Sequence, residues 1–275
     1  MNNANYICTL QIRKRCDQYS VRPLETSVEN NRALFDIGLH GPDILFYYKA
    51  LSSNPVNAQG YALHDKMADE FFRNAAEVIE KSENPAAARA YMYGFICHFA
   101  LDSECHKYIE KMIQVSGISH SEIEMEFDRY LLTEDHINPL TYLGTKHIHA
   151  DMENAKIIAP FFEDITPETM KRSLSSMILY HKLMMAPTKA RRKVLFMAMK
   201  AAGCYDSKHG MVMSEEPNPE CEKYCLLLKK LYAGAVPLAA SLIIQYQKAL
   251  FQKAELPMRF HETFGAGENW EKLPL

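Results

Sequence analysis

The stretch Gly94–Ile109, GFICHFALDSECHKYI, decides how the rest of the chain is read. Its apolar residues recur at helical spacing, which predicts a helix whose inward stripe runs Tyr91, Phe95, Phe99, Asp102, His106, with His98 beside Phe95 and Phe99. An acid between two imidazoles on such a stripe is costly to bury unless something neutralises it. Pro85 suits a first helical turn and Gly117 suits a helix stop, so the expected helix covers residues 86–111 and the chain turns around Gly117.

Beyond that turn, Ser119 and Glu122 are spaced as a capping box, which opens another helix with His120 and Glu124 one turn apart on its first turns. Upstream, Tyr61–Lys81 predicts a single helix with His64, Met67, Ala68, Phe71, Ala75 and Val78 on one face, so His64 points to the core. It is preceded by a loop at SSNPVNAQG and by a turn at HGPD, His40–Asp43, where Gly permits unusual φ and Pro fixes its own. Helical patterns follow at 167–184, 187–202, 218–232 and 235–254, with an irregular loop at 208–220. There is no internal repeat and no β alternation. The expectation is an all-α, compact multi-helix fold, with residues 1–32 unplaced and 33–275 forming one domain.

The composition narrows the function classes. Hydrophobic residues make up 48% and charged residues 24%, values ordinary for a soluble globular chain. With 31 Lys and Arg against 34 Asp and Glu there is no global positive field, so no sequence-specific nucleic-acid partner is expected. The basic runs Arg13–Arg15 and Lys189–Lys193 read as solvated helix faces. Seven scattered cysteines do not form a disulfide framework, and the N-terminus has no apolar leader, which together imply a reducing, cytoplasmic setting. The longest apolar run, Ala233–Ile244, is too short to span a bilayer, so no transmembrane segment is expected.

The chemistry-bearing residues form one pattern. His98 and Asp102, one turn apart, can grip a single ion. The eight-residue rise from His98 to His106 is about 12 Å, which suggests two ions along the helix with Asp102 between them. His64 would complete the first set with His98 and Asp102, and His120 with Glu124 would complete the second with His106. Three nitrogen and oxygen ligands per ion, without thiolates, match a catalytic zinc site that keeps a position open for water. Cys97 and Cys105 each precede a proposed ligand by one residue and so sit off its face as buried thiols. Cys221 and Cys225 lack further metal-spaced partners, KHIH at 146–149 reads as a surface loop, and His181 reads as core or interface. Phe46, Tyr47, Tyr48 and Tyr61 flank the proposed site.

The segments HGPDILFYY at 40–48, His64, GFICHFALDSECH at 94–106 and SHSEIE at 119–124 resemble the zinc-dependent phospholipase C family, an all-helical fold related to the single-strand-specific zinc nucleases. The resemblance covers residues 34–130. It implies zinc as cofactor, one ion on His64, His98 and Asp102 and a second on His106, His120 and Glu124, with Asp43 matching the family's general base or water-orienting acid. Family members build a third zinc position with an N-terminal histidine, whereas this chain has no His before His40, leaving two ions as the expectation. The implied substrate is a lipid or small-molecule phosphodiester, with transient contact at a membrane surface.

Two rival readings stand beside it. His64–Asp65 is the dipeptide of HD-type metal phosphohydrolases, but that class leaves the HxxxDxxxH and HxxxE pairs unexplained. A non-catalytic metal-binding scaffold, having lost the third zinc position, is the other. Oligomeric state is not legible in the sequence.

Overall fold

Helix α4, Pro85–Ser116, is the axis on which the other elements pack. Asn84 caps it by accepting from the Ala87 backbone N–H, Pro85 occupies its first turn, and Gly117 ends it in the left-handed region at φ 73°. It therefore runs five residues past the expected end. From Tyr91 to Asp102 every residue is buried, because neighbours cover it on all sides. The structure, a computed structural model, describes residues 28–275, and among these it is helical without strands, with one isolated bridge between Met67 and Thr263. The all-α expectation stands; the run Arg13–Arg15 and the rest of the first 27 residues lie outside the described part.

Helix α1, Arg32–Gly38, crosses α4 at a pair of glycines. A Cβ at Gly38 would meet the Tyr91 carbonyl oxygen at 2.1 Å, and one at Gly94 would meet that of Phe35 at 2.1 Å. Bare backbone at both positions lets the helices touch, which brings the following 3₁₀ segment, Gly41–Tyr47, against the part of α4 that carries His98.

The expected single helix over Tyr61–Lys81 is two. Helix α2, Pro55–Asp65, starts inside the stretch expected as a loop, since Asn54 and Asn57 form a reciprocal capping box and Pro55 fits the first turn. Lys66 is extended, and α3, Ala68–Lys81, begins anew with the Ala68 N–H donating to the Glu262 carbonyl at 3.0 Å. Met67, expected on the buried face, is 62% exposed. Helix α5, His120–Glu134, begins where expected, with Ser119 accepting from the Glu122 N–H. The Glu122 carboxylate, however, accepts from the Asn218 side chain rather than closing the box.

Helices α6, Met152–Ile158, and α7, Pro167–Met184, pack on one another, and α8, Lys189–Ala201, follows. The two helices expected at 218–232 and 235–254 are one, α9, Glu222–Gln252, with Pro237 inside it. An interior proline costs about 3 kcal/mol. Burial of Tyr232, Ala235, Val236 and Ala239 on both sides of it holds the helix continuous against α4. By length and composition α9 could cross a membrane; here one of its faces belongs to the core. Apart from that core, Ala186, Met199 and Val212 form a small separate cluster under α8. Cys97, Cys105, Cys221 and Cys225 are buried. His147 departs from the surface reading of its loop: it turns inward, and its Nε2 lies 2.9 Å from that of buried His40.

Candidate metal centre

Five of the proposed residues reach the site from two helices whose local sequence fixes their directions. His98, Asp102 and His106 project from successive turns of α4, and His120 and Glu124 from adjacent turns of α5. His64 comes from the last turn of α2, and Asp43 from the 3₁₀ segment. Two donor sets result: Asp43, His64 and His98 in one, His106, His120 and Glu124 in the other, with the ligand-capable atoms of each within 4.8 Å of one another. The second set matches the sequence grouping. In the first, Asp43 stands among the donors rather than apart from them, its Oδ1 3.2 Å from His64 Nε2.

Asp102 is fully buried and lies between the sets. Its Oδ2 is 2.9 Å from His98 Nε2, 3.8 Å from His64 Nε2 and 3.9 Å from His106 Nδ1. The rings of His64 and His106 are 6.2 Å apart, so the two sets are neighbours.

The imidazoles share one arrangement. His64 Nδ1 donates to the Gly60 carbonyl at 2.8 Å, His98 Nδ1 to the Leu39 carbonyl at 3.2 Å, and His106 Nδ1 to the Phe264 carbonyl at 2.7 Å. His120 Nδ1 lies 3.4 Å from the Glu110 carboxylate. Committing each Nδ1–H to an acceptor leaves each Nε2 with a lone pair in the neutral ring. Those Nε2 atoms face carboxylates: Asp43 and Asp102 at His64, Asp102 at His98, and Glu124 Oε1 at His106 and His120, at 3.5 Å and 3.0 Å. A lone pair aimed at a carboxylate is repulsive unless a proton or a cation lies between them, so the arrangement suits a metal ion, with the Nδ1 acceptors setting tautomer and ring angle. Nitrogen and oxygen donors with buried thiols held away fit zinc.

Without metal, protons take that role. Burial alone would push the His64 imidazole down, but Asp43 and Asp102 outweigh it and hold it up to about 9. Burial opposes Glu124 and Glu110 at His120 in the same way, and they hold it up to about 10. His98 is likewise raised, with burial overcome chiefly by Asp102. Glu124 is pulled well below the usual carboxylate range, since His120 and His106 overcome its burial.

The donors open into a cleft of about 540 Å³ lined by Asp43, His64, His106, His120 and Glu124, with Phe46, Tyr61, Lys208 and Trp270 on its walls. Asp102 and His98 lie beneath it, fully buried. Of the flanking aromatics, Phe46 stacks obliquely on Tyr61 with centroids 4.5 Å apart and touches His64 at 5.3 Å, whereas Tyr47 turns away to hydrogen-bond His181. Asp65 is exposed and belongs to neither donor set, which removes the support for an HD-type centre.

Sequence reasoning missed the groups that orient the rings. Three are backbone carbonyls, which have no side-chain signature, and Phe264 lies 158 residues from the histidine it holds. Glu110 was findable, since it follows His106 by one turn on the same helix. Gly41 is another: at φ 50° its missing Cβ leaves room for the His98 ring, which a side chain there would meet at 2.1 Å.

An all-α bundle thus carries two adjacent His and carboxylate donor sets over an open cleft, a donor chemistry that suits zinc. The family model for zinc-dependent phospholipase C matches residues 9–178, more than half of the chain, and the chain belongs to that family. No curated protein and no solved structure shows a significant match.

Proposed function

We propose that this chain is a zinc-dependent phosphodiester hydrolase of phospholipase C type. The observation that carries the reading is the paired donor sets: four imidazoles anchored through Nδ1, with Nε2 turned to carboxylates, beside one cleft. Asp43, His64, His98 and Asp102 would hold one ion, and His106, His120 and Glu124 a second. Zinc bound there would supply Lewis-acid polarisation of a phosphoryl oxygen and lower the pKa of a water to near neutrality.

The residues have separable tasks. Asp102 shares its negative charge between the sets and offsets the positive charge buried beneath the cleft. Asp43 lines the cleft while touching His64, so its carboxylate can both complete the first set and accept or orient the proton of an attacking water. Phe46, Tyr61 and Trp270 give the cleft apolar walls that would exclude bulk water from a bound ester. The expected substrate is a lipid or small phosphodiester.

Metal analysis of the purified protein tests the reading, with two zinc equivalents expected, one for each donor set. His98→Ala should lose the first and His120→Ala the second. p-Nitrophenyl phosphorylcholine should be hydrolysed, the activity vanishing with chelation and returning with zinc. Zinc content below one equivalent and unchanged by both substitutions would sink the metal assignment. Full zinc loading without cleavage of any phosphodiester would favour a metal-stabilised scaffold.

A further inference from the structure

From Thr169 to Tyr205 the sequence carries eight Lys and Arg and no Asp or Glu, in a chain whose net charge is −3. The segment comprises most of α7, all of α8 and the turn joining them. Among the described residues, its ion pairs are those of Lys189 and Arg192 with Glu215, both at 3.5 Å. The remaining cations stand without a carboxylate, and Arg191 instead ties the two helices together by donating to the Lys182 carbonyl at 2.8 Å.

The apolar residues of this segment divide between two sides. Leu195, Phe196 and Met199 of α8 turn inward onto Met184, Val212 and Tyr205. Lys193, Val194 and Met197 turn outward, Val194 being 61% and Met197 53% exposed. On α7, Leu179, Lys182 and Leu183 are exposed within about one turn. Aliphatic side chains left in water among cations that no carboxylate neutralises are what a helix lying on a lipid headgroup layer presents, the cations meeting anionic headgroups and the aliphatics entering between them. A nucleic acid would match the charge and leave the aliphatics unused.

The inner side of the hairpin, with Tyr180, Met184 and Met199, walls an apolar cavity of about 100 Å³ whose opposite wall is Phe46, Leu51 and Tyr61. Phe46, Tyr61 and Lys208 also line the metal cleft. Through these three residues the cavity walled by α7 and α8 adjoins that cleft.

We propose that the α7–α8 face docks this protein on an anionic phospholipid bilayer and sets the metal cleft beside the headgroup phosphodiesters. The docking rests on the phosphodiesterase reading for its purpose and is measured independently of turnover. Sedimentation of the zinc-loaded full chain with vesicles of phosphatidylcholine alone, and of phosphatidylcholine with phosphatidylserine, tests it. Binding is expected only where phosphatidylserine is present and should weaken as ionic strength rises. Lys193→Ser and Lys200→Ser should each lower partitioning about fivefold. Met197→Asp should lower it further, and all three should hydrolyse soluble p-nitrophenyl phosphorylcholine at the unaltered rate.

Absence of binding to phosphatidylserine vesicles at low ionic strength overturns the docking, as does binding unaffected when Lys193→Ser, Met197→Asp and Lys200→Ser are combined in one chain. Single-stranded RNA that binds with the same dependence on Lys193 and Lys200 but none on Met197 would also overturn it, in favour of a simple polyanion site. A protein that binds vesicles but cleaves no phosphodiester keeps the docking and removes the catalytic reading. One that cleaves the soluble diester but ignores vesicles does the reverse.

Discussion

His106 Nδ1 donates to the carbonyl of Phe264 at 2.7 Å, joining helix α4 to the segment around residue 264. The next residue, Gly265, donates its N–H to the His64 carbonyl at 2.9 Å, so two consecutive residues support one histidine of each donor set. The Phe264 ring is fully buried, with its centroid 5.9 Å from His64 and 6.0 Å from His98. Residues far from the motifs thereby decide the angles at which the motif histidines present Nε2.

Phe264→Ala removes the ring that locks this segment. A buried Phe truncated to Ala ordinarily costs about 3–5 kcal/mol. The metal effect should exceed what stability loss explains, because the segment that orients His106 and His64 becomes loose, and zinc affinity is expected to fall about 10–100-fold. Competition with a chelator, on protein verified as folded by circular dichroism, measures it. Unchanged affinity in the folded variant would show that the Phe264 ring is not what holds its carbonyl in place.

Gly41→Ala acts on one set alone. Its added Cβ would lie 2.1 Å from the His98 ring, on a backbone at φ 50° that L side chains avoid. His98 must move, so the variant is expected to lose the ion held by Asp43, His64 and His98 while keeping the one held by His106, His120 and Glu124. Zinc analysis should return half the wild-type content; full content would show that the ring tolerates displacement.

The contrast between these positions marks what the sequence can disclose. His98, Asp102, His106, His120 and Glu124 were legible because a helix converts four-residue spacing into a shared face. Gly117 and Ser119 were legible as a stop and a start because their effects are local. The break between α2 and α3 was not, since the amphipathic period continues across Lys66 and Met67, and its cause is the Glu262 carbonyl arriving from the far end of the chain. The break expected between 232 and 235 failed in the opposite direction: one helix runs through it and through Pro237, held by packing on both sides. His147 was read as surface because its loop is polar, whereas its partner His40 comes from a turn 107 residues away.

Glu110→Gln isolates the one ring support that is a side chain. Glu110 is about half-buried beside His120 Nδ1, and the His120 hydrogen bond holds its carboxyl below the usual range. Glutamine keeps the shape and loses the charge, so His120 becomes a poorer donor to an ion. Zinc affinity of the second set should drop about tenfold with little change in thermal stability. A drop in stability without a change in affinity would make Glu110 a structural neighbour only.

The raised imidazoles make stability depend on pH in a direction that metal reverses. In the metal-free chain His64 is held up to about 9 and His120 up to about 10, both above the ordinary 6.5. A group whose pKa rises on folding binds its proton more tightly in the folded state. Its contribution is therefore complete below pH 6.5 and is lost as the pH climbs through about 9 for His64 and about 10 for His120. Zinc needs both Nε2 lone pairs and so displaces these protons; rising pH removes that competition and strengthens binding. The thermal midpoint of metal-free protein should accordingly fall between pH 6.5 and about 10, while the increment given by zinc, at free zinc fixed with a chelator buffer, should grow over the same window. Thermal unfolding followed by circular dichroism with and without zinc reads both trends. A metal-free midpoint that stays flat across this window would mean that the two imidazoles do not carry their protons in the folded chain, and the carboxylate-facing arrangement of Nε2 would then need another partner.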